Sequence, residues 1–308
     1  MSVLVGLIVA LGMLVIVPVG LRLIDPEDGG GTAAVRTVWP LFALPGAASL
    51  WLPRGIAATA LACCYAVGTV LLALHAPGRL VRTPASALPA RIAVATALVS
   101  PSIAAVALVA ERLGHPLFGF DLEILALTVP HFHFAGFAAA LVAGLVCRAT
   151  DRPAGRFAAL SVPLGTVLVL LGYFLNDWAE LAGALVLTAG MWAVALLTWR
   201  DVRGDGPDRL TRAMLRVSSA VLVATMLLAL CWAVGEATGL PHPSLTWMAA
   251  THGLGNALGF ALCSVLAWRR LADVERVKGR EHLDGLKAVK DLAVKDLKDL
   301  KAFKEPVA

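Results

Sequence analysis

Two short stretches carry side chains whose chemistry is costly where they stand. VPHFHFAGF, Val129 to Phe137, sets a proline and two histidines inside a long apolar run, and THGLGNALGF, Thr251 to Phe260, sets His252 and Asn256 inside another. Ionisable groups surrounded by hydrocarbon are expensive and usually mark a site or a pathway. Imidazoles titrate near neutral pH, so they can pass protons or bind a metal. A carboxylate desolvated near them holds its proton more tightly and can act as an acid. Glu236, in the outer turns of a third apolar run, is such a carboxylate. Proton transfer is therefore the chemistry these residue types offer together, with His131, His133, His252, Asn256 and Glu236 as candidate catalytic residues. The plainer alternative makes each histidine an interhelical hydrogen-bonding partner. Three histidines at matching depth, with an asparagine beside one of them, favour a site.

The elements that hold these residues follow from composition. The 308 residues are 59% hydrophobic and 15% charged, against roughly a quarter charged in soluble domains. Mean hydropathy is +0.80. About twenty apolar residues cross a bilayer, which gives nine candidate helices at 3–23, 37–53, 55–76, 89–111, 121–147, 156–175, 178–199, 214–238 and 244–268. The fold class is an all-α polytopic transmembrane bundle. Pro40 and Pro45 interrupt the second segment and Pro53 ends it, so it is expected to be re-entrant or broken. The transmembrane domain is residues 1–270. Residues 271–308 form a charged amphipathic tail that repeats VKDL at 289–292 and 294–297. Its charges nearly balance, which reads as a solvated or membrane-surface helix and not as a polybasic lipid clamp.

Arginines sort the loops. Those after odd-numbered helices hold Arg22 and Arg36, then Arg79, Arg82 and Arg91, then Arg148, Arg152 and Arg156, then Arg200, Arg203, Arg209, Arg212 and Arg216; the other loops hold Arg54 and Arg112. Basic loops stay cytoplasmic, so the N-terminus is expected outside and the C-terminus inside. The same asymmetry accounts for the net charge of +5 without a nucleic-acid partner. Cys63, Cys64, Cys147, Cys231 and Cys263 all fall in apolar segments with no C-x-x-C pair, and read as small core residues. The first segment has no basic n-region and no small-x-small cleavage site, so it reads as a retained helix.

On this count His131 and His133 lie about 15 Å into helix five and His252 about 12 Å into helix nine. Residues two apart point to nearly opposite faces of a helix, so both histidines serve one site only if Pro130 disturbs the turn. Gly136, Ala140 and Gly144 continue the His133 face as a ridge of small residues that admits a close neighbour. His133 is thus expected to face a neighbouring helix directly, with His131 turned to the other side of the polar interior. Helices five and nine are expected to pack against each other or to line one shared cavity, with His133 and His252 at the same depth. On helix nine, His252, Gly255, Asn256, Gly259 and Cys263 share one face. Acids and polar groups gather in the outer half: Asp121 and Glu123, then Tyr173, Asn176, Asp177 and Glu180, with Trp232 a turn below Glu236. They describe a vestibule, although carboxylates also favour helix N-termini for local reasons. Glu236 is expected to complete the histidine cluster. His131, His133 and His252 would also supply a three-histidine metal shell, but H-x-H on a helix is awkward for one ion and no H-x-x-x-H occurs; acid/base chemistry is favoured. The sequence specifies no cofactor. His75, His115, His242 and His282 read as interfacial or solvated.

HFHFAGF and THGLGNALGF, in this order and each in a late membrane helix, resemble the YndJ-like family of bacterial integral membrane proteins. The resemblance covers most of the helical part and not the VKDL tail. It implies residence in the bacterial cytoplasmic membrane, with membrane lipids as partners, and points to His131, His133, His252, Gly253 and Asn256. Three functions fit: an enzyme doing acid/base chemistry on a lipophilic substrate, a proton-coupled transporter using the same residues as a relay, or a ligand sensor or assembly factor working through its tail. Nine helices without an internal repeat do not divide into the equal halves of many carriers, whereas the glycine- and proline-interrupted helices five and nine would suit a moving element. A reporter fused to the C-terminus should be active in the cytoplasm; activity confined to the outside would overturn this topology.

Overall fold

The structure, a computed structural model, describes residues 2–24, 32–81, 84–150 and 152–278. Nine helices run through them: α1 Val3–Ile24, α2 Thr32–Ser49, α3 Ile56–Leu80, α4 Leu88–Leu113, α5 Leu122–Thr150, α6 Pro153–Leu175, α7 Asp177–Asp205, α8 Arg209–Thr238 and α9 Leu245–Lys278. All except α2 are long and apolar enough to cross a membrane. No strand occurs among the described residues, only an isolated bridge between Leu117 and Phe120. The chain is a multi-pass membrane protein. The sequence also marks where helices begin and end. Asp121, Asn176, Asp208 and Ser244 cap α5, α7, α8 and α9 by accepting orphan backbone N–H groups. Gly114 and Gly239 end α4 and α8 in the left-handed conformation that glycine adopts freely. The VKDL repeats, with His282 and the rest of the tail beyond Lys278, lie outside the described residues.

The expected break in the second segment does not occur. α2 is continuous from Thr32 to Ser49 with Pro40 and Pro45 inside it. Tertiary contacts hold it straight enough to pack against both neighbours. Trp39 Nε1–H donates to the Met13 carbonyl of α1 at 2.8 Å, and Gly46 lies flat on the Tyr65 ring of α3. Packing by adjacent helices is what makes proline tolerable at membrane depth.

α5 is the central helix, with 83% of its most apolar window buried, against 28% for α9. Behind it α6 and α7 form the tightest hairpin. Gly165 and Gly172 recur at seven residues on α6, as do Gly183 and Gly190 on α7, and each meets the opposite helix. A Cβ on Gly165 would come within 2.5 Å of the Leu187 backbone, and one on Gly183 within 2.5 Å of Val169 N. Gly172 meets the backbone of Glu180, so these glycines set where that carboxylate stands.

Charges close both ends. Buried Glu111 receives Arg54 at 3.0 Å and pairs with buried Arg112, and Arg112 Nη1 also donates to the Ser49 and Leu52 carbonyls at 3.3 Å each. Arg54 and Arg112, the two departures from the arginine pattern, are thereby committed to one carboxylate and to the α2–α3 turn. At the opposite end Asp208, between α7 and α8, accepts the Thr211 N–H at 2.8 Å and pairs with Arg270 of α9. The backbone N–H and the guanidinium together hold its carboxyl down at about 2.

Replacing Gly183 by Leu should force α6 and α7 apart and cost about 1–3 kcal/mol, as overpacking does. Gly204→Ala, with nothing within 4 Å of the added atom, should leave thermal unfolding unchanged. Equal melting of the two variants in detergent would contradict this packing.

Candidate intramembrane site

A cavity of about 250 Å³ lies among α5, α6, α7, α8 and α9, with Val5 and Ile8 of α1 on one wall. Along α9 its lining runs from Leu245 to Phe260, about 22 Å at the rise of a helix. Its mouth is at the end where α5, α7 and α9 begin. Most of the lining is apolar, including Phe132, Phe134, Met191, Met226 and Phe260. Beyond Phe260 the bundle is filled by Ala261, Val265 and Leu222, each at most 1% exposed.

The polar lining falls at two depths. Near the mouth stand Tyr173, half-exposed, and Glu180, and Trp232 of α8 lines the same half of the cavity. His131 and His252 lie deeper, about 14 and about 11 Å along their helices at 1.5 Å per residue. Both helices depart from α-geometry here: π-helical turns cover Phe132–Ala138 in α5, and Ala249–Gly253 and Gly255–Leu262 in α9. π-turns shift the backbone ladder by one residue and frequently accompany functional sites. His131 lines the cavity and packs edge-on against Phe132 at 5.4 Å. Neither of its ring nitrogens has a hydrogen-bond partner among the described residues. It is within electrostatic reach of His252.

His252 is fully committed. Its Nδ1–H donates to the Thr225 carbonyl at 2.8 Å, and its Nε2 accepts from Asn256 Nδ2 at 3.1 Å. The Thr225 hydroxyl donates to Asn256 Oδ1 at 2.9 Å. Because a carbonyl only accepts, Nδ1 must carry the proton, which fixes the tautomer. The three residues form a closed clasp between α8 and α9, and Asn256 has the orienting geometry its position suggested.

Other expectations are corrected. His133, not His131, is the histidine turned away from helix nine. It is fully buried, with Nδ1–H donating to the Val129 carbonyl at 2.8 Å and Nε2 accepting from the Tyr65 hydroxyl at 2.5 Å. Tyr65 in turn packs edge-on against Trp39 at 5.7 Å, and Gly12 of α1 leaves room for the His133 ring. The glycine ridges do not join α5 to α9. Gly136 sits on Ser100 of α4 and Gly144 on Ala90 and Ala93, while Gly255 and Gly259 sit on Thr225 and Val221 of α8. Helices adjacent in the chain took up these close approaches, and α5 and α9 instead share the cavity. Glu236 bonds an imidazole, but that of His242 in the α8–α9 loop, at 3.0 Å; Glu180 is the carboxylate that lines the cavity. The three-histidine shell fails on geometry, since His131 and His133 point apart and both nitrogens of His133 and His252 are occupied. No group of three or more metal-binding side chains gathers among the described residues.

Of the vestibule residues, Tyr173, Glu180 and Trp232 line the cavity. Asp121 and Asn176 are helix caps, accepting from Ile124 N at 2.9 Å and Ala179 N at 3.0 Å; Glu123 and Asp177 follow them as exposed residues in the first turns. Tyr65 is a polar partner that the spacing of the motifs does not reveal. One signal for Tyr65 was present: the chain has two tyrosines, and a phenol in an apolar run needs a partner.

Tyr65→Phe removes the donor to His133 Nε2 and should cost about 1–3 kcal/mol, the penalty of stranding a buried acceptor. His131→Gln, facing open space, should shift stability by no more than about 0.5 kcal/mol. Chemical denaturation in detergent distinguishes the two, and the reverse order would exchange their assigned roles.

A family model described as YndJ-like protein matches residues 7–260. No curated protein and no solved structure gives a significant match to the chain.

Proposed function

This chain belongs to the YndJ-like family, and we propose that its cavity binds a lipophilic molecule and that His131 carries out acid/base chemistry on it. One observation carries the reading: His131 is a cavity-lining imidazole with both nitrogens uncommitted among the described residues, in a space lined mostly by phenylalanine, methionine and aliphatic side chains. An imidazole can both take and return a proton near neutral pH. The His252–Asn256–Thr225 clasp supports the reading as the device that holds the opposite wall. The three hydrogen bonds within it leave His252 as a fixed dipole and leave proton transfer to His131. Glu180 and Tyr173 stand nearer the mouth, where they would receive the polar end of the molecule. The arginine pattern supports a mouth that faces outward, in a bacterial cytoplasmic membrane.

A second reading, proton-coupled transport, is favoured by the π-helical turns on α5 and α9, since both bear on the cavity and both are natural places for a helix to rearrange. The packed residues beyond Phe260 speak for a closed pocket. Organic extraction of the purified protein followed by mass spectrometry tests both readings. The wild type should release a lipophilic compound that Ala229→Trp, which fills the cavity, does not retain. His131→Gln should retain the compound unconverted. Identical extracts from the wild type and Ala229→Trp would overturn the binding reading. An unchanged compound in His131→Gln and wild type, with accumulation across vesicles lost in the variant, would replace chemistry by transport.

A further inference from the structure

The mouth of the cavity carries a charge problem that nothing among the described residues answers. Glu180 lines the cavity, and its carboxylate has no ion pair or hydrogen bond among the described residues. The carboxylates elsewhere that are withdrawn from solvent do better: Glu111 is met by Arg54 and Arg112, and Asp201 by Arg152 at 3.2 Å. No arginine or lysine side chain lines the cavity. The other titratable groups about the mouth are Tyr173 of α6, Asp177 of α7, and Glu236 of α8 with its partner His242 from the loop before α9. The surroundings of Glu180 are thus short of positive charge, and a carboxylate drawn from water without a counterion is costly.

Two aromatic side chains line the same half of the cavity. Tyr173 lines the same mouth, and Gly172, the residue before it, is what brings the Glu180 backbone close. Trp232 also lines the cavity, with its ring held edge-on by His242 at 4.8 Å. A carboxylate that shares an apolar cavity with aromatic side chains is a set of groups that can recognise an organic cation: the carboxylate supplies the counter-charge, and the rings supply quadrupoles at low desolvation cost. An anion would meet Glu180 and be repelled, and a neutral molecule would leave it without a counterion. The volume of about 250 Å³ limits the guest to a small amphiphile.

We propose that the lipophilic ligand of this cavity is a cation, an amine or quaternary ammonium carried on an apolar body, with its charged head held by Glu180, Tyr173 and Trp232 and its body directed toward His131. This rests on the reading of the cavity as a lipophilic site. Titration calorimetry on the full chain in nanodiscs, with octyltrimethylammonium, 1-octanol and octanoate as probes, tests it. Octyltrimethylammonium should bind at least about tenfold more tightly than 1-octanol, the scale of one charge-assisted contact, and octanoate should not bind. Glu180→Gln should erase the difference between the first two. Trp232→Leu, which leaves the carboxylate in place, should weaken the cation severalfold and leave 1-octanol unchanged. Equal affinity of the wild type for octyltrimethylammonium and 1-octanol would overturn the cation proposal while leaving a lipophilic site. Binding of none of the three would overturn both.

Discussion

The hydrogen bond from Tyr65 to His133 fixes the orientation on which the rest of the site depends. It joins α3 to α5 in the bundle interior, where water does not compete and an unpaired imidazole nitrogen would be costly. The Val129 carbonyl accepts the one ring N–H, at Nδ1, so the imidazole is locked in one tautomer and one rotamer. Trp39 packs against Tyr65 and bonds the Met13 carbonyl, which extends the same network to α1 and α2. Four helices therefore agree on the rotation of α5 about its axis. Once that rotation is set, a residue two positions earlier must look the other way, and His131 faces the cavity as a consequence.

The two histidines of one motif thus divide labour by geometry. His133 spends its hydrogen-bonding capacity on structure, and His131 keeps its own. The π-helical turn beginning at Phe132 lies between these environments. It displaces the backbone ladder beside Pro130, whose missing N–H already weakens it, and carbonyls near such a turn become available to side chains. The bond from His133 Nδ1 to Val129 O is of that kind. On α9 the same device recurs: the π-turns accompany a histidine bonded to the carbonyl of a neighbouring helix, Thr225 O. On α5 the imidazole takes a carbonyl of its own irregular helix, and on α9 it reaches across to a carbonyl of α8. Side chains and neighbouring helices of this kind make non-α backbone tolerable at membrane depth.

The glycines show a different constraint. In a bundle without a hydrophobic drive between helices, close approach supplies the attraction, and pairs adjacent in the chain found it first. α6 meets α7 through paired seven-residue glycine spacings, α5 meets α4 through Gly136 and Gly144, and α9 meets α8 through Gly255 and Gly259. α5 and α9 meet near their π-helical turns and elsewhere face each other across the cavity. The cavity is the space left when each of those helices packs against its sequence neighbour instead of against the other.

Much of this was legible from residues alone. Apolar length, checked by arginine placement, gave nine helices, most within a few residues of their limits, because hydrocarbon thickness and backbone saturation leave a spanning chain few options. α2 nevertheless lies about five residues earlier and α9 runs about ten residues further. The two polar motifs marked α5 and α9 as the helices that bear the site, since polar groups there are too costly to be incidental. Period alone told that His131 and His133 face apart, and that His252 and Asn256 share a face. It did not tell which histidine turns to the cavity, because that depends on Tyr65, 68 residues away in sequence. Nor did it tell which partner a glycine ridge meets, since a smooth surface fits any neighbour, or that α2 survives two prolines, since α1 and α3 hold it. The exchange of Glu236 for Glu180 has the same origin: His242 reaches back from a loop to take one carboxylate, and the α6–α7 glycines carry the other to the cavity wall. Local chemistry determined which residues cannot stand alone in a membrane; only tertiary packing decided which of them found partners and which was left open.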